Sequence, residues 1–262
     1  MILSKKSLGQ NYLIDKNIIK KILDTVKVEN NRIIEIGPGK GALTDEILKK
    51  NPKSLYLIEK DNFLFNQLKF KYQNYKQVKI FNADILKFDI DKILKRNTII
   101  FGNLPYNISS QILIKFIRLN KSPPLFNDII FMFQKELGDK IQGKFKSKNY
   151  GRLSIISNFK LLIKKKFLVS RNCFWPKPKV TSAVLHFKPK KKILFNIKNI
   201  YNLEKVTNIL FSNKRKMINK NVNKVLNKKQ IKQINELDLS LRPSEIKPEI
   251  YYKITELFEK NY

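Results

Sequence analysis

Up to about residue 190 the apolar positions of this chain switch repeatedly between two rhythms; beyond it they keep only one. Ile18, Ile19, Ile22, Leu23 and Val26 fall three and four apart, the stripe of an amphipathic helix, and Asp15 stands where an N-cap belongs. Short β-rich runs recur at 32–36, 54–58, 78–83, 98–100 and 129–133. Helical spacing returns between them at Leu43, Ile47 and Leu48, and again from Ile108 to Ile114. Strands alternating with helices predict an α/β domain around an open sheet. Ile155-Ile156, Lys166-Phe167-Leu168-Val169 and Ser182-Ala183-Val184-Leu185-His186-Phe187 supply further strand candidates. Pro189-Lys190-Lys191-Lys192 reads as a linker, and apolar stripes over 203–210, 218–226, 231–237 and 250–258 follow it at helical spacing. The expected organisation is a main α/β domain, residues 1–190, and a small all-helical domain, residues 191–262. No internal repeat is visible.

Composition changes this picture in three ways. The 262 residues, 42% of them apolar, suffice for a sizeable core. No apolar run is long enough to span a bilayer, and Met1-Ile2-Leu3-Ser4-Lys5-Lys6 lacks the apolar block of a secretory signal, so a cytoplasmic protein with no membrane partner is expected. Cys173 and His186 are the only residues of their kinds. That excludes an internal disulfide, and it argues against a zinc site, a zinc-dependent base deaminase and a Ser-His-Asp hydrolase built on any other histidine. No metal is expected. Basic residues number 54 against 21 acidic, a formal net charge of +33, which predicts strong, salt-sensitive attraction to polyphosphate. The excess is nearly all Lys and travels with many Asn, Ile, Phe and Tyr, a bias that A+T-rich coding also produces. Charge therefore points to a nucleic acid or an anionic surface without choosing between them.

Candidate chemistry collects at the ends of the predicted strands. After Arg32–Ile36 comes Gly37-Pro38-Gly39-Lys40-Gly41, whose alternate glycines let the backbone approach a ligand closely. The Gly-x-Gly-x-Gly spacing departs from the Gly-x-Gly-x-x-Gly of pyrophosphate-binding folds, and Glu35 precedes it. A ligand with a cationic amino-acid end and no phosphate fits better, and S-adenosylmethionine is such a ligand. The second strand ends in Glu59, placed to accept ribose hydroxyls; the third ends in Asp84, placed to accept from an adenine amino group. The fourth runs into Phe101-Gly102-Asn103-Leu104-Pro105-Tyr106. An amide, a fixed turn and an aromatic ring suit a planar amino group gripped edge-on, and hence adenine N6 methylation. Asn103 Oδ1 and the Leu104 carbonyl would each accept one N–H, Pro105 would set the Leu104 carbonyl direction, and Tyr106 would offer a ring face to an unstacked base. Each residue alone also has an ordinary turn or capping role. The series at four successive strand ends, where open α/β sheets hold their ligands, is what favours function.

Three basic segments remain. Lys144–Arg152, with Lys148 and Arg152, mixes cations with aromatics; Phe174-Trp175-Pro176-Lys177-Pro178-Lys179-Val180 is a stiff, proline-spaced loop; Asn213-Lys214-Arg215-Lys216 and Asn227-Lys228-Lys229 are clusters in the helical part. The first fits a loop that grips phosphate and stacks a base, and equally a solvated basic loop. The second fits an aromatic closing over a flipped base, or a rigid surface turn with Trp175 half-buried. The clusters fit a footprint on an RNA helix, though a charge run is usually a solvated face.

With these residues assembled, nearly the whole chain resembles the ribosomal RNA adenine N6,N6-dimethyltransferase family, the group acting on adjacent adenosines near the end of small-subunit RNA. The resemblance is carried by Leu8-Gly9-Gln10-Asn11-Tyr12-Leu13, Glu35-Ile36-Gly37-Pro38-Gly39, Gly102-Asn103-Leu104-Pro105-Tyr106-Asn107-Ile108 and Gln134-Lys135-Glu136. It continues through Tyr150-Gly151-Arg152-Leu153-Ser154, Phe174-x-Pro176-x-Pro178-Lys179-Val180-x-Ser182 and Phe211-x-Asn213-Lys214-Arg215-Lys216. It implies a Rossmann-like, seven-stranded methyltransferase sheet with the last strand reversed, S-adenosylmethionine as donor, and a helical C-terminal domain that helps grip RNA. By position it implies that Asn11 and Leu13 line the donor site, Gly37 and Gly39 bed the methionine part, Glu59 holds the ribose and Asp84 the adenine. Asn103 would touch both donor and target, while Tyr106 and Phe174 sandwich the target base. Lys40-Gly41 is a departure after Gly39, at a place where relatives vary widely. The implied partner is small-subunit ribosomal RNA within a pre-ribosomal particle, met by a monomer, with Lys148, Arg152, Lys177, Lys179, Lys214, Arg215 and Lys216 on the RNA. A sister group that methylates large-subunit RNA is the nearest rival, and the Phe174 loop and Leu241-Arg242-Pro243-Ser244-Glu245 resemble it less. A non-catalytic assembly factor of the same fold is disfavoured by the intact Asn103–Tyr106 element, and a DNA adenine methylase by Asn103 itself, where that group usually carries Asp.

Overall fold

The structure, a computed structural model, describes residues 11–119 and 124–260. The basic leader and the Gly9-Gln10 part of the expected N-terminal loop lie outside them. β1 (Tyr12–Leu13) is followed by α1 (Lys16–Leu23), whose first turn is capped as expected: Asp15 Oδ1 accepts the Asn17 and Ile18 N–H groups at 2.9 and 3.1 Å. Strands and helices then alternate: β2 (Arg32–Ile36), α2 (Ala42–Leu48), β3 (Ser54–Glu59), α3 (Asn62–Lys71), β4 (Val78–Asn82), β5 (Thr98–Asn103), α4 (Ser109–Ile117) and β6 (Phe126–Gln134). α5 (Lys135–Ile141) and α6 (Arg152–Lys160) precede β7 (Leu161–Val169), the two-residue β8 (Phe174–Trp175) and β9 (Ser182–Pro189). Then come α7 (Ile200–Leu210), α8 (Asn219–Val222), α9 (Lys228–Lys232) and α10 (Pro248–Glu259).

Seven strands form one sheet in the order β4-β3-β2-β5-β6-β9-β7. From β4 to β6 neighbouring strands are parallel, and β9, the last strand of the chain, runs antiparallel to β6. This is the α/β methyltransferase sheet with its final strand reversed, as the resemblance implied. β2 is covered on both faces, Ile33, Ile34 and Ile36 being at most 2% exposed, which is why successive apolar residues occur in it and only Glu35 interrupts them. One face packs on the stripes of α1 and α2: Ile19, Ile22, Leu23, Leu43 and Ile47 join Leu55, Leu57, Ile99 and Phe101 in one apolar cluster. Each such side chain contributes about 1.5–3 kcal/mol by leaving water. Register brings the strand ends level: Ile36 lies opposite both Ile58 and Gly102, and Glu59 opposite Asn82. Because the chain crosses from β4 to the far side of β2 to form β5, a crevice opens at the carboxyl edge between β2 and β5.

Of the described residues, 11–115, 124–138 and 162–189 form one compact unit, and 116–119, 139–161 and 190–260 a second. The second unit therefore takes in more than the expected 191–262. Long-range bonds within it explain why. Tyr150 Oη donates to the Ile246 carbonyl at 2.8 Å, Tyr252 Oη to that of Ile155 at 2.9 Å, and Arg118 grips Glu204 through Nε and an Nη at 2.7 and 2.8 Å. Ile155-Ile156 is helical, inside α6, not a strand: Ser154 Oγ accepts from the Gly151 N–H at 3.1 Å and donates to the Gly151 carbonyl at 2.8 Å, fixing a helix start there. The stripes at 218–226 and 231–237 form only the short α8 and α9. Asn219, Asn221 and Asn223 are poor helix interiors because their amides compete for the backbone, as Asn223 Nδ2 does on the Asn219 carbonyl at 2.9 Å.

Candidate active site

The crevice holds a cavity of about 460 Å³. The glycine loop after β2 forms its floor. Gly39 has φ +59°, and a Cβ there would lie 2.9 Å from the Tyr12 ring, so no larger residue fits without displacing Tyr12. Glu59, at the end of β3, is buried; its Oε2 accepts the Gly39 N–H at 3.2 Å and its Oε1 that of Asp61 at 2.8 Å. Burial pushes the Glu59 carboxyl up, and these N–H bonds oppose the shift. Glu35, inside β2, accepts from Thr44 Oγ1 at 2.7 Å; burial, reinforced by Asp45 and Glu59, pushes it up to about 8. Asp84, following β4, accepts the Leu86 N–H at 2.9 Å and pairs with Lys60 at 2.9 Å, and the ammonium holds its carboxyl below the usual range.

Asn103 ends β5 on the opposite wall. Its Nδ2 donates to the Asn11 carbonyl at 2.9 Å, which fixes the carboxamide plane and leaves Oδ1 as an acceptor. A Cβ on Gly37 would lie 3.8 Å from the Asn103 carbonyl, so the glycine loop and the Asn103 turn face each other closely. Tyr106 is half-buried, and its hydroxyl meets Ser182 Oγ of β9 at 2.6 Å. Ser109 Oγ donates to the Tyr106 carbonyl at 3.1 Å, so the turn is held on both sides.

Asn11, Leu13, Gly37, Gly39, Glu59, Asp84, Asn103, Leu104, Pro105 and Tyr106 all line this one cavity. Phe174 is placed otherwise. It pairs with Leu13 across the antiparallel β1–β8 ribbon, is 3% exposed, and packs in the apolar cluster with Leu13, Val169 and Cys173. Of the two rings expected to sandwich a base, only that of Tyr106 is on the cavity wall. Lys177 and Lys179 are exposed after β8; Lys148 and the Lys214-Arg215-Lys216 run are exposed in the second unit. Arg152 is partly buried at the start of α6, and its Nε has no hydrogen-bond partner. No group of three or more potential metal ligands occurs among the described residues, and no described helix is long and apolar enough to cross a membrane. Sequence reasoning assigned Tyr12, Thr44 and Ser182 no role in the site. Thr44 sits nine residues from Glu35 and had a local signal, a hydroxyl in the first turn of α2; Tyr12 and Ser182 were marked only by lying in motifs of the resemblance.

The donor set fits S-adenosylmethionine: a glycine loop pressed against a ring, a buried acid bonded to that loop, a second acid on the next strand, and a neutral carboxamide opposite. Fold and site together define an S-adenosylmethionine-dependent methyltransferase. The family model for ribosomal RNA adenine dimethylase matches residues 1–260. The chain belongs to that family. It is 45% identical over 257 residues to a ribosomal RNA small subunit methyltransferase A of Pelagibacter ubique (strain HTCC1062), covering 98% of this chain and 97% of the relative. A solved dimethyladenosine transferase from Plasmodium falciparum superposes with a TM-score of 0.79 at 26% identity, covering 95% of this chain and 97% of that one. A solved 23S rRNA methyltransferase shares the fold with a TM-score of 0.70 at 21% identity, covering 95% of this chain and 100% of that one.

Proposed function

We propose that this chain dimethylates the N6 amines of two adjacent adenosines in a hairpin loop near the 3′ end of small-subunit ribosomal RNA. The observation that carries the reading is the placement of Asn103: its side-chain nitrogen is tied to the Asn11 carbonyl, and its oxygen stays available on the cavity that Glu59 and the glycine loop also line. When bound, S-adenosylmethionine supplies a methyl group on a sulfonium, which needs only an aligned lone pair. The adenine amine is a poor nucleophile because its lone pair is delocalised into the ring. Asn103 Oδ1 and the Leu104 carbonyl hold its N–H bonds, two at the first transfer and one at the second, favour a pyramidal nitrogen, and stabilise the positive charge that develops on it until one proton per transfer is lost to solvent. Pro105 restricts Leu104 to extended conformations, and the Ser182 bond steadies the Tyr106 ring under the base. Glu59 takes the donor ribose, Asp84 its adenine, Gly37 and Gly39 its methionine part, and Asn11 and Leu13 close over it.

The seven cations Lys148, Arg152, Lys177, Lys179, Lys214, Arg215 and Lys216 are assigned to RNA phosphates, the second unit serving as an RNA-binding module. The reading extends to a monomer acting in the cytoplasm on a pre-ribosomal small subunit; the strong positive charge and the name of the Pelagibacter relative support the RNA substrate. The test is methyl transfer from labelled S-adenosylmethionine to small-subunit particles lacking the modification. Paired dimethyladenosines in small-subunit RNA are expected. Label appearing in large-subunit RNA instead, or in neither, refutes the assignment.

A further inference from the structure

The glycine loop carries a cation with an unusual setting. Lys40 Nζ lies 5.0 Å from the centroid of the Tyr12 ring and 4.8 Å from that of Trp175. Tyr12 and Trp175 are cross-strand partners in the β1–β8 ribbon, so one ammonium engages both members of the pair. Among the described residues no carboxylate pairs with Lys40, which leaves the two rings as its partners. Tyr12 in turn rests on Gly39, at the distance where a Cβ would collide with it. Trp175 is 40% exposed, and the exposed cations Lys177 and Lys179 follow it directly. The ribbon thus joins two sites: one end bears on the loop assigned to the donor, the other continues into the loop assigned to RNA.

We propose that Lys40 is a positioning residue that ties the RNA-facing loop 175–179 to the donor-binding glycine loop, so that occupancy of the donor site sets the position of Trp175 and the lysines after it. The inference rests on the donor assignment above. A ligand bedded on Gly37 and Gly39 moves or stiffens the loop that carries Lys40; the ammonium passes this to both rings at once, because they are held in register. A coupling of this kind is reciprocal, so RNA bound at Lys177 and Lys179 also tightens the donor site.

Trp175 is the single tryptophan of the chain, so its emission reports this loop alone. The full chain is titrated with S-adenosylhomocysteine, following indole emission and, in parallel, heat by calorimetry. In the wild type the emission change is expected to saturate with the calorimetric binding curve. Lys40→Arg, which keeps a cation over the rings, is expected to retain the response; Lys40→Met, which keeps the stem and removes the charge, is expected to lose it even where calorimetry shows the site filled. Heat without an emission change in the wild type, or an equal response in Lys40→Met, overturns the coupling alone. Absence of heat in the wild type overturns the donor assignment and the coupling with it.

Discussion

Replacing Asn103 by Ala separates two roles, one proposed for its oxygen and one that its nitrogen has in the structure. The first is the proposed acceptor Oδ1, which would meet a nitrogen that gains positive charge as the reaction proceeds. Removing one preorganised polar group from a developing charge costs about 3–4 kcal/mol, or roughly 10²–10³ in kcat. The second is the Nδ2 bond to the Asn11 carbonyl at 2.9 Å, which holds the N-terminal strand over the donor site. A net hydrogen bond of this kind is worth about 1 kcal/mol, so donor affinity should fall by about fivefold. Asn103→Asp distinguishes the two: it restores an acceptor but sets a carboxylate oxygen against the Asn11 carbonyl. Its donor affinity should fall at least as far as that of Asn103→Ala, while its kcat recovers part of the loss. Single-turnover transfer of labelled methyl groups measures the first role, and calorimetry with S-adenosylhomocysteine the second. An Asn103→Ala enzyme within about tenfold of wild-type kcat, folded by thermal melting, would falsify the amine-acceptor role.

Glu35→Gln tests the buried acid of β2. Its carboxyl is raised from 4.5 to about 8, so the folded chain binds a proton that the unfolded chain releases above pH 4.5; the stability it contributes is whole below that pH and is lost as pH rises through about 8. The amide can still accept from Thr44, so Glu35→Gln should raise the melting temperature clearly at pH 8 and little at pH 4.5; equal shifts at both would remove the burial argument. Ser182→Ala deletes the partner of the Tyr106 hydroxyl at a cost of about 1 kcal/mol, which should appear as a severalfold higher KM for RNA with donor affinity unchanged. Charge reversal of Lys214, Arg215 and Lys216 to Glu should lower the slope of log K against log salt by about 2–3 if all three meet phosphates; an unaltered slope takes them out of the footprint.

That the proposed donor residues would gather at one cavity was legible because the marks they leave are local. A strand end, a glycine that must adopt positive φ and an acid one strand further on each leave a mark within a few residues, and the parallel sheet brings the marks level without further instruction. Gly39, Glu59 and Asn103 needed only the order of the strands. Illegible were the contacts that cross the chain: the Asn103 bond to Asn11 spans 92 residues and the Tyr106 bond to Ser182 spans 76. β1 and β8, two residues each, are too short to carry a period. Phe174 shows the same limit from the other side. Read locally, an aromatic on a proline-spaced basic loop faces outward; its cross-strand pairing with Leu13 draws it into the core instead.

The cations proposed to meet RNA were hard to single out for a different reason. Donor contacts constrain the backbone, whereas phosphate contacts position a partner through long, exposed side chains that pack against little on their own chain. Lys214, Arg215 and Lys216 have the same exposure and local pattern as any solvated face, in a chain where Lys and Arg make up 54 residues. Fold and burial therefore carry almost no signal about them, and the count of released counterions carries nearly all of it. Changes at Tyr106 and Asn103 should both leave the salt slope unchanged and differ elsewhere: loss of Tyr106 stacking should weaken RNA binding by a similar factor at every salt concentration, because stacking releases no condensed ions, and loss of Asn103 should lower kcat with RNA affinity little altered. A salt series on these variants beside the charge reversal, read together with kcat, thus tests separately the proposed contacts to phosphate, to the base and to the reacting amine.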